Sequence, residues 1–210
     1  MSTTPFQPNS IKPLNRELFA RATTTMARAF STDPMFAWIF PDPARRTQSI
    51  EQLFGILVEY SLRYGHVTES NDAMAVAAWM PPGRKVTLPG MVRAGMLKAP
   101  FQIGFRPFVQ FMKANDIMEK LHKKYVPEPH WYLFGIGVDP ALQGRGLGTA
   151  LVKEGLARAN AESCPCYLET SEERNLAFYE RHGFKVVETA VLGDGGPPGW
   201  AMRRDTSGSS

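Results

Sequence analysis

The sequence predicts an α/β (α+β) fold, a mixed and mostly antiparallel central sheet of about six to seven strands with helices packed on it. Three features carry this reading. The run Trp131 to Val138 (WYLFGIGV) is apolar, aromatic and β-branched, and a glycine-rich loop and an amphipathic segment follow it, giving strand, loop and helix in that order. Two pairs of strand-like runs, His66 to Glu69 with Ala73 to Met80 and Phe184 to Leu192 with Gly199 to Met202, are separated by turn formers and so pair antiparallel. Segments with apolar residues at helical spacing lie before and between them.

Composition narrows the class. At 210 residues, with 43% hydrophobic and 21% charged residues, the chain has the length for one well-filled core and an ordinary globular make-up. One domain is expected over residues 11–204, with a flexible N-terminus over 1–10 and a disordered polar tail over 205–210. A formal charge of +4 and a pI near 9.1 suit an anionic ligand. The basic residues are scattered apart from Lys123-Lys124 and Arg203-Arg204, which argues against nucleic acid as a partner. The N-terminal stretch lacks the charged and apolar regions of a signal peptide, and no apolar run reaches transmembrane length. A cytoplasmic protein with no membrane partner is therefore expected. Cys164 and Cys166 stand at no spacing that would complete a metal site with His66, His122, His130 or His182, so neither a metal nor a disulfide framework is expected.

Taken in order, Ile11 to Leu14 reads as a short edge strand. Asn15 suits the N-cap of a helix through Phe30, with Leu18, Ala22, Met26 and Phe30 on one stripe. Ser31 to Pro43 sets Met35, Phe36, Trp38 and Phe40 between prolines, which argues against a continuous helix; it either fills the core or walls a ligand pocket. Ala44 to Tyr64 has an apolar stripe from Ile50 to Leu62, and Gly65 suits the end of that helix. Residues 88–126 read as helical, with a short helix about Met91 to Leu97 and a longer one that has Pro107 in its first turn and reaches Lys124. The stripe on the longer helix, from Phe108 and Phe111 to Met118 and Tyr125, fits core packing better than a ligand pocket. Asp139-Pro140 ends the strand Trp131–Val138, because proline has no N–H for a ladder. Gly135 and Gly137 within that strand mark a bulge or a close backbone approach. Leu151, Val152, Leu156 and Ala159 form the buried stripe of the next helix, and Cys166 to Thr170 is a further strand. Thr170 and Glu173 have capping-box spacing for a helix that carries Asn175 and Tyr179 on one face and stops at Gly183.

The chemistry concentrates in the loop after Val138. Gln143, Gly144, Arg145, Gly146, Leu147, Gly148 and Thr149 set bare backbone N–H groups at a helix N-terminus, where the helix dipole also favours negative charge. Arg145 adds a positive side chain. A phosphate-bearing ligand fits this chemistry. The loop is not a P-loop, since no Lys-Ser or Lys-Thr follows the glycines. Its glycines give GxGxG and not the GxGxxG of a dinucleotide site, although Glu169 stands about twenty residues on, where a ribose-binding acid would be. A glycine-rich turn with no ligand is the remaining alternative.

Gln143, Gly146 and Gly148, preceded by Val138-Asp139-Pro140, follow the pattern [QR]-x-x-G-x-[GA]. Downstream, Asn175, Tyr179, Glu180, Gly183 and Phe184 follow N…Y-E-x-x-G-F. In this order the two motifs resemble those of the GNAT superfamily of N-acetyltransferases. W-Y-L-F-G-I-G-V-D-P, L-E-T-S, R-N-L-A-F-Y-E-R-H-G-F and the closing W-A-M-R-R further resemble the puromycin N-acetyltransferase-like subgroup, over residues 73–203 apart from an insert at about 88–126.

The resemblance implies the GNAT-like acyl-CoA N-acyltransferase fold, acetyl-CoA as co-substrate on the Gln143–Thr149 loop, and an amine as acceptor. It implies that the strand before the loop splays from its neighbour, so that backbone groups of Ile136, Gly137 and Val138 reach the pantetheine and the thioester. It also implies that Asn175 and Tyr179 face the sulfur, with Tyr179 as general acid for the departing thiolate. Glu169, on the adjacent strand, is the preferred base for the amine proton; a purely structural acid at that position, His130 and Tyr132 are the alternatives. A small-molecule amine competes with a protein N-terminus or lysine as acceptor, and a monomer with a homodimer. An acyl-CoA-binding or sensing module without turnover is the rival from another class, and the retained Asn175 and Tyr179 count against it. A dinucleotide-dependent oxidoreductase is disfavoured by the glycine spacing.

Overall fold

The computed structural model describes residues 11–206, so the N-terminus over 1–10 and residues 207–210 of the expected tail lie outside the described residues. The described residues form one seven-stranded open sheet. Its strands are β1 (Lys12–Pro13), β2 (His66–Ser70), β3 (Ala75–Met80), β4 (Trp131–Val138), β5 (Cys166–Thr170), β6 (Lys185–Val191) and β7 (Pro198–Arg204). They run in the order β1-β2-β3-β4-β5-β7-β6, antiparallel except between β4 and β5. That pair is parallel because a helix, α7 (Leu147–Ala161), carries the chain back between them. No described helix is long and apolar enough to cross a membrane.

Local chemistry sets most boundaries. Asn15 caps a 3-10 turn, its Oδ1 accepting from Glu17 N at 3.1 Å, and α1 (Phe19–Ala29) continues from there. The proline-flanked segment holds one short helix, α2 (Pro34–Ile39), and no continuous helix runs through it, as expected. Asp33 caps it, accepting from Met35 N and Phe36 N at 3.0 and 3.3 Å, and Pro34 sits in the first turn, where no N–H is needed. Then comes α3 (Pro43–Tyr64), capped by Asp42. Gly65 ends it, as expected, in an extended conformation; glycine is needed there because a Cβ would stand 2.5 Å from the Trp79 carbonyl.

Residues 88–126 form three helices and not two: α4 (Leu88–Arg93), α5 (Ala99–Ile103) and α6 (Phe105–Tyr125). The reading of the α6 stripe as core holds in part. Phe108, Phe111 and Leu121 pack, partly buried, against core clusters, while Phe111 and Met118 also border a cavity. The expected capping box is also replaced. Thr170 Oγ1 accepts from Glu172 N at 3.2 Å, and the Glu172 side chain caps the 3-10 turn Glu173–Asn175 that leads into α8 (Leu176–Glu180).

β3 reads AVAAWM because both its faces are covered. Val76 and Ala78 pack with α1 and α3, and Ala75, Ala77 and Trp79 pack with α7. Leu151, Val152, Leu156 and Ala159 of α7 are all buried, as their spacing predicts. A Cβ on Gly155 would overlap the Trp79 indole, so this glycine sets how closely α7 lies on the sheet.

β4 carries a bulge at Phe134, where the register passes from Trp79↔Leu133 to Ala78↔Gly135. The extra residue switches side-chain parity, and Leu133 and Ile136 therefore pack on the same side. Just beyond it, Met26 of α1 stands 3.1 Å and 2.8 Å from where Cβ atoms of Gly135 and Gly137 would be. The glycines thus serve the close approach of α1 to the strand. β4 and β5 pair only at Trp131↔Cys166 and Tyr132↔Tyr167. Past Tyr132 the β5-facing edge of β4 has no strand partner, and a gap opens there.

Candidate active site

Two cavities meet at this gap. The larger is a cleft of about 700 Å³ along the end of β4 and the start of α7. Ile136, Gly137 and Val138 line it on the strand side. On the loop side it is lined by Gln143, Gly144, Gly146, Leu147, Gly148 and Thr149. Gly144 and Gly146 adopt left-handed conformations, with φ of 76° and 83°, which turn the loop into α7. Gly146 is the N-cap and supplies no side-chain acceptor, which leaves the first amides of α7 for a ligand. Gln143 Nε2 donates to the Val138 carbonyl at 3.1 Å, so this side chain braces the loop against the strand end.

Arg145 does not line the cleft. Arg28, Arg174 and Arg181 do, and sequence reasoning missed all three, because they come from α1, the turn after β5 and the end of α8. Arg28 Nη1 lies 3.2 Å from Asp139 Oδ2, and Arg174 Nη2 lies 2.6 Å from Glu172 Oε2.

The second cavity, of about 160 Å³, lies on the α1 and α3 side and has walls that are mostly apolar, with Phe and Met the commonest residues. Glu169 borders it. Its Oε2 accepts from the Tyr132 hydroxyl at 2.7 Å. Burial pushes this carboxyl up to about 7, against the opposing pull of that hydrogen bond. Glu169 does not cap the following helix; Glu172 has that role.

Phe30, Asp33, Ile136, Asn175 and Tyr179 border both cavities. Asn175 and Tyr179 therefore do share a face, one helical turn apart. Tyr179 is only 6% exposed, held edge-on between the Phe178 and Phe184 rings. Burial, with Asp33 nearby, raises its phenol well above the usual range, so it is protonated at neutral pH. Asp33 is a fourth residue that sequence reasoning did not single out. Asp-Pro ahead of an apolar run is a helix-start signal, and that signal was legible; its place at the junction was not. Ser171 Oγ donates to Asp33 Oδ1 at 2.7 Å, and burial raises its carboxyl.

His130 borders neither cavity. Its Nε2 lies 2.6 Å from His122 Nε2, and its Nδ1 donates to the Glu128 carbonyl at 2.6 Å. Burial and the neighbouring His130 push His122 down to about 4, and it stacks on the Tyr167 ring. Of the alternatives to Glu169, only Tyr132 reaches the site, as the hydrogen-bond donor to that carboxyl.

Residues 103–184, which carry α6, β4, the loop, α7, β5 and the Asn175–Tyr179 turn, match the family described as Acetyltransferase (GNAT) family. A mycothiol acetyltransferase of Propionibacterium freudenreichii subsp. shermanii is 38% identical over 66 residues, which are 30% of this chain and 21% of that protein. The chain spans about a fifth of the length of the curated relatives it matches. Among solved structures, a Corynebacterium glutamicum protein given as histone acetyltransferase HPA2 and related acetyltransferase is similar with a TM-score of 0.66 and 22% identity, over 94% of this chain and 96% of that one. A polyamine N-acetyltransferase of Drosophila melanogaster is similar with a TM-score of 0.56 and 16% identity, over 92% and 96%. The open, mostly antiparallel sheet with flanking helices is the GNAT-like fold these structures share.

Proposed function

We propose that the chain is a GNAT-type N-acetyltransferase, a single domain over residues 11–204 that moves the acetyl group of acetyl-CoA directly to a primary amine of a small-molecule acceptor. The observation that carries this reading is the meeting of the two cavities. An arginine-edged cleft at a helix N-terminus and an apolar cavity bordered by a carboxylate share Tyr179, Asn175 and Ile136. One suits a nucleotide thioester, the other an amine, and they touch where β4 and β5 part.

The residues fit acetyl-CoA. A Cβ at Gly144 or Gly146 would meet nothing within 4 Å, so the loop backbone is bare on its outer side. The first amides of α7, with Arg28, Arg174 and Arg181, supply the positive field for a pyrophosphate. The unpaired edge of β4 from Ile136 to Val138 offers backbone groups to pantetheine and to the developing oxyanion.

In the transfer, the acceptor arrives as an ammonium and gives one proton to Glu169, which near neutral pH is largely ionised only above about 7. The freed lone pair forms the C–N bond and moves the carbonyl electrons onto the oxygen; their return breaks the C–S bond. Tyr179 gives its proton to the sulfur and recovers one from the nitrogen of the collapsing adduct, so one proton is released in all. Juxtaposition in the junction supplies much of the acceleration.

The small volume of the amine cavity, about 160 Å³, supports a small molecule over a protein N-terminus or lysine. Kinship with the puromycin-type subgroup is supported by the β4 and α8 motifs. The test is thiol release from acetyl-CoA across a panel of amines that includes puromycin. Release that requires both acetyl-CoA and an amine is expected. Tight binding of acetyl-CoA with no release for any amine would instead make the chain an acyl-CoA-binding module.

A further inference from the structure

The amine cavity has a charge pattern that acetyl transfer alone does not require. Phe54, Met96, Phe111, Met118 and Phe134 supply much of its wall, and no Lys, Arg or His borders it. Two carboxylates do, Asp33 and Glu169. Asp33 is 7% exposed, and all three of its hydrogen bonds end on Oδ1: from Met35 N at 3.0 Å, Phe36 N at 3.3 Å and Ser171 Oγ at 2.7 Å. Oδ2 accepts none among the described residues, and no cationic side chain there pairs with Asp33. Oδ2 is therefore open to the cavities that Asp33 borders, where an ammonium brings both a donor and a counter-charge.

We infer that this cavity selects amines with a single ammonium on a bulky apolar body, such as arylalkylamines, and that Asp33 Oδ2 is the anchor that holds the ammonium at the junction with the cleft. This rests on the proposed function and adds the acceptor class. The ammonium satisfies Oδ2, and the apolar body replaces water against Phe and Met. A second cation, as in a polyamine or agmatine, would find only Glu169 as a further carboxylate, and pairing with it would occupy the group that must take the proton. The hydroxyls of an amino sugar would lose hydrogen bonds that Phe and Met cannot return. The same carboxylate serves as the N-cap of α2, so the fold itself fixes the anchor's position.

The experiment compares 2-phenylethylamine, agmatine and glucosamine as acceptors for the wild type and for Asp33→Asn. Asparagine caps a helix as well as aspartate does, so the variant keeps α2 and loses only the charge. With wild type, kcat/KM for 2-phenylethylamine should exceed that for agmatine and glucosamine by at least about tenfold. In Asp33→Asn, KM for 2-phenylethylamine should rise about tenfold or more, by more than KM for acetyl-CoA changes, with Tm not lowered. Preference for agmatine or glucosamine, or an unchanged amine KM in the variant, overturns the inference. If no amine supports thiol release, the proposed function is what has failed. Calorimetry of 2-phenylethylamine on both proteins then still decides: binding that is lost in Asp33→Asn supports the anchor, and equal or absent binding in both removes it.

Discussion

Burial acts on Tyr179 and Glu169 in the same direction and suits them to opposite tasks, because they start from different values. A phenol raised further holds its proton at any physiological pH and can only donate it. A carboxyl raised to about 7 is released near neutrality as a competent acceptor. On the proposed mechanism, Tyr179→Phe keeps the ring between Phe178 and Phe184 and deletes only the hydroxyl. Turnover should fall by roughly 10²–10⁴-fold, in single-turnover as in steady-state rates, with KM for acetyl-CoA little changed. A normal single-turnover rate would leave Tyr179 as a packing residue. Glu169→Gln should lower kcat/KM by about 10²-fold or more and abolish the acidic limb of its pH profile, which in the wild type should bend near pH 7. A limb that survives the substitution belongs to another group.

The loop and α7 act as one element, and the position to perturb follows from their conformation. A side chain at Gly146 would strain a backbone at φ 83° before it met any ligand. Gly148, in the first turn of α7, is different, since a Cβ there would make ordinary contact with Phe178 at 3.5 Å. Aspartate at this place favours the helix by about 0.3–1 kcal/mol through the dipole, and repels an anion for the same reason. Gly148→Asp should therefore keep or raise Tm while the Kd for acetyl-CoA rises at least about tenfold. Unchanged affinity would take the anion site away from this helix end.

Across the whole molecule, two buried groups make stability depend on pH in opposite senses. Folded Glu169 keeps its proton up to about 7 against a reference of 4.5, so stability falls as pH rises through that window. Folded His122 refuses a proton down to about 4 against a reference of 6.5, so stability falls as pH drops through that one. The two oppose each other where the windows overlap, and each acts alone outside. Glu169→Gln should gain Tm relative to wild type at pH 8 more than at pH 5. His122→Phe, which keeps a ring against Tyr167, should show the reverse. Thermal unfolding at both pH values checks both signs, and differences that do not change with pH would refute the account.

What the sequence determined by itself was local. The apolar run of β4, its stop at Asp139-Pro140, the glycines before α7, the α7 stripe and the spacing of Asn175 and Tyr179 each depend on residues within a few positions of one another. Side-chain period, missing N–H groups and left-handed turns are properties of such short stretches. Tertiary structure decided the rest. The bulge at Phe134, the placing of β7 between β5 and β6, and the division of the α6 stripe between core and cavity wall all depend on what packs opposite. So does the convergence of Arg28, Arg174 and Arg181 on one cleft. Asp33 shows the division most plainly: its neighbours in the chain mark it as a helix cap, and only the fold sets it, with Tyr179, on the border of both cavities.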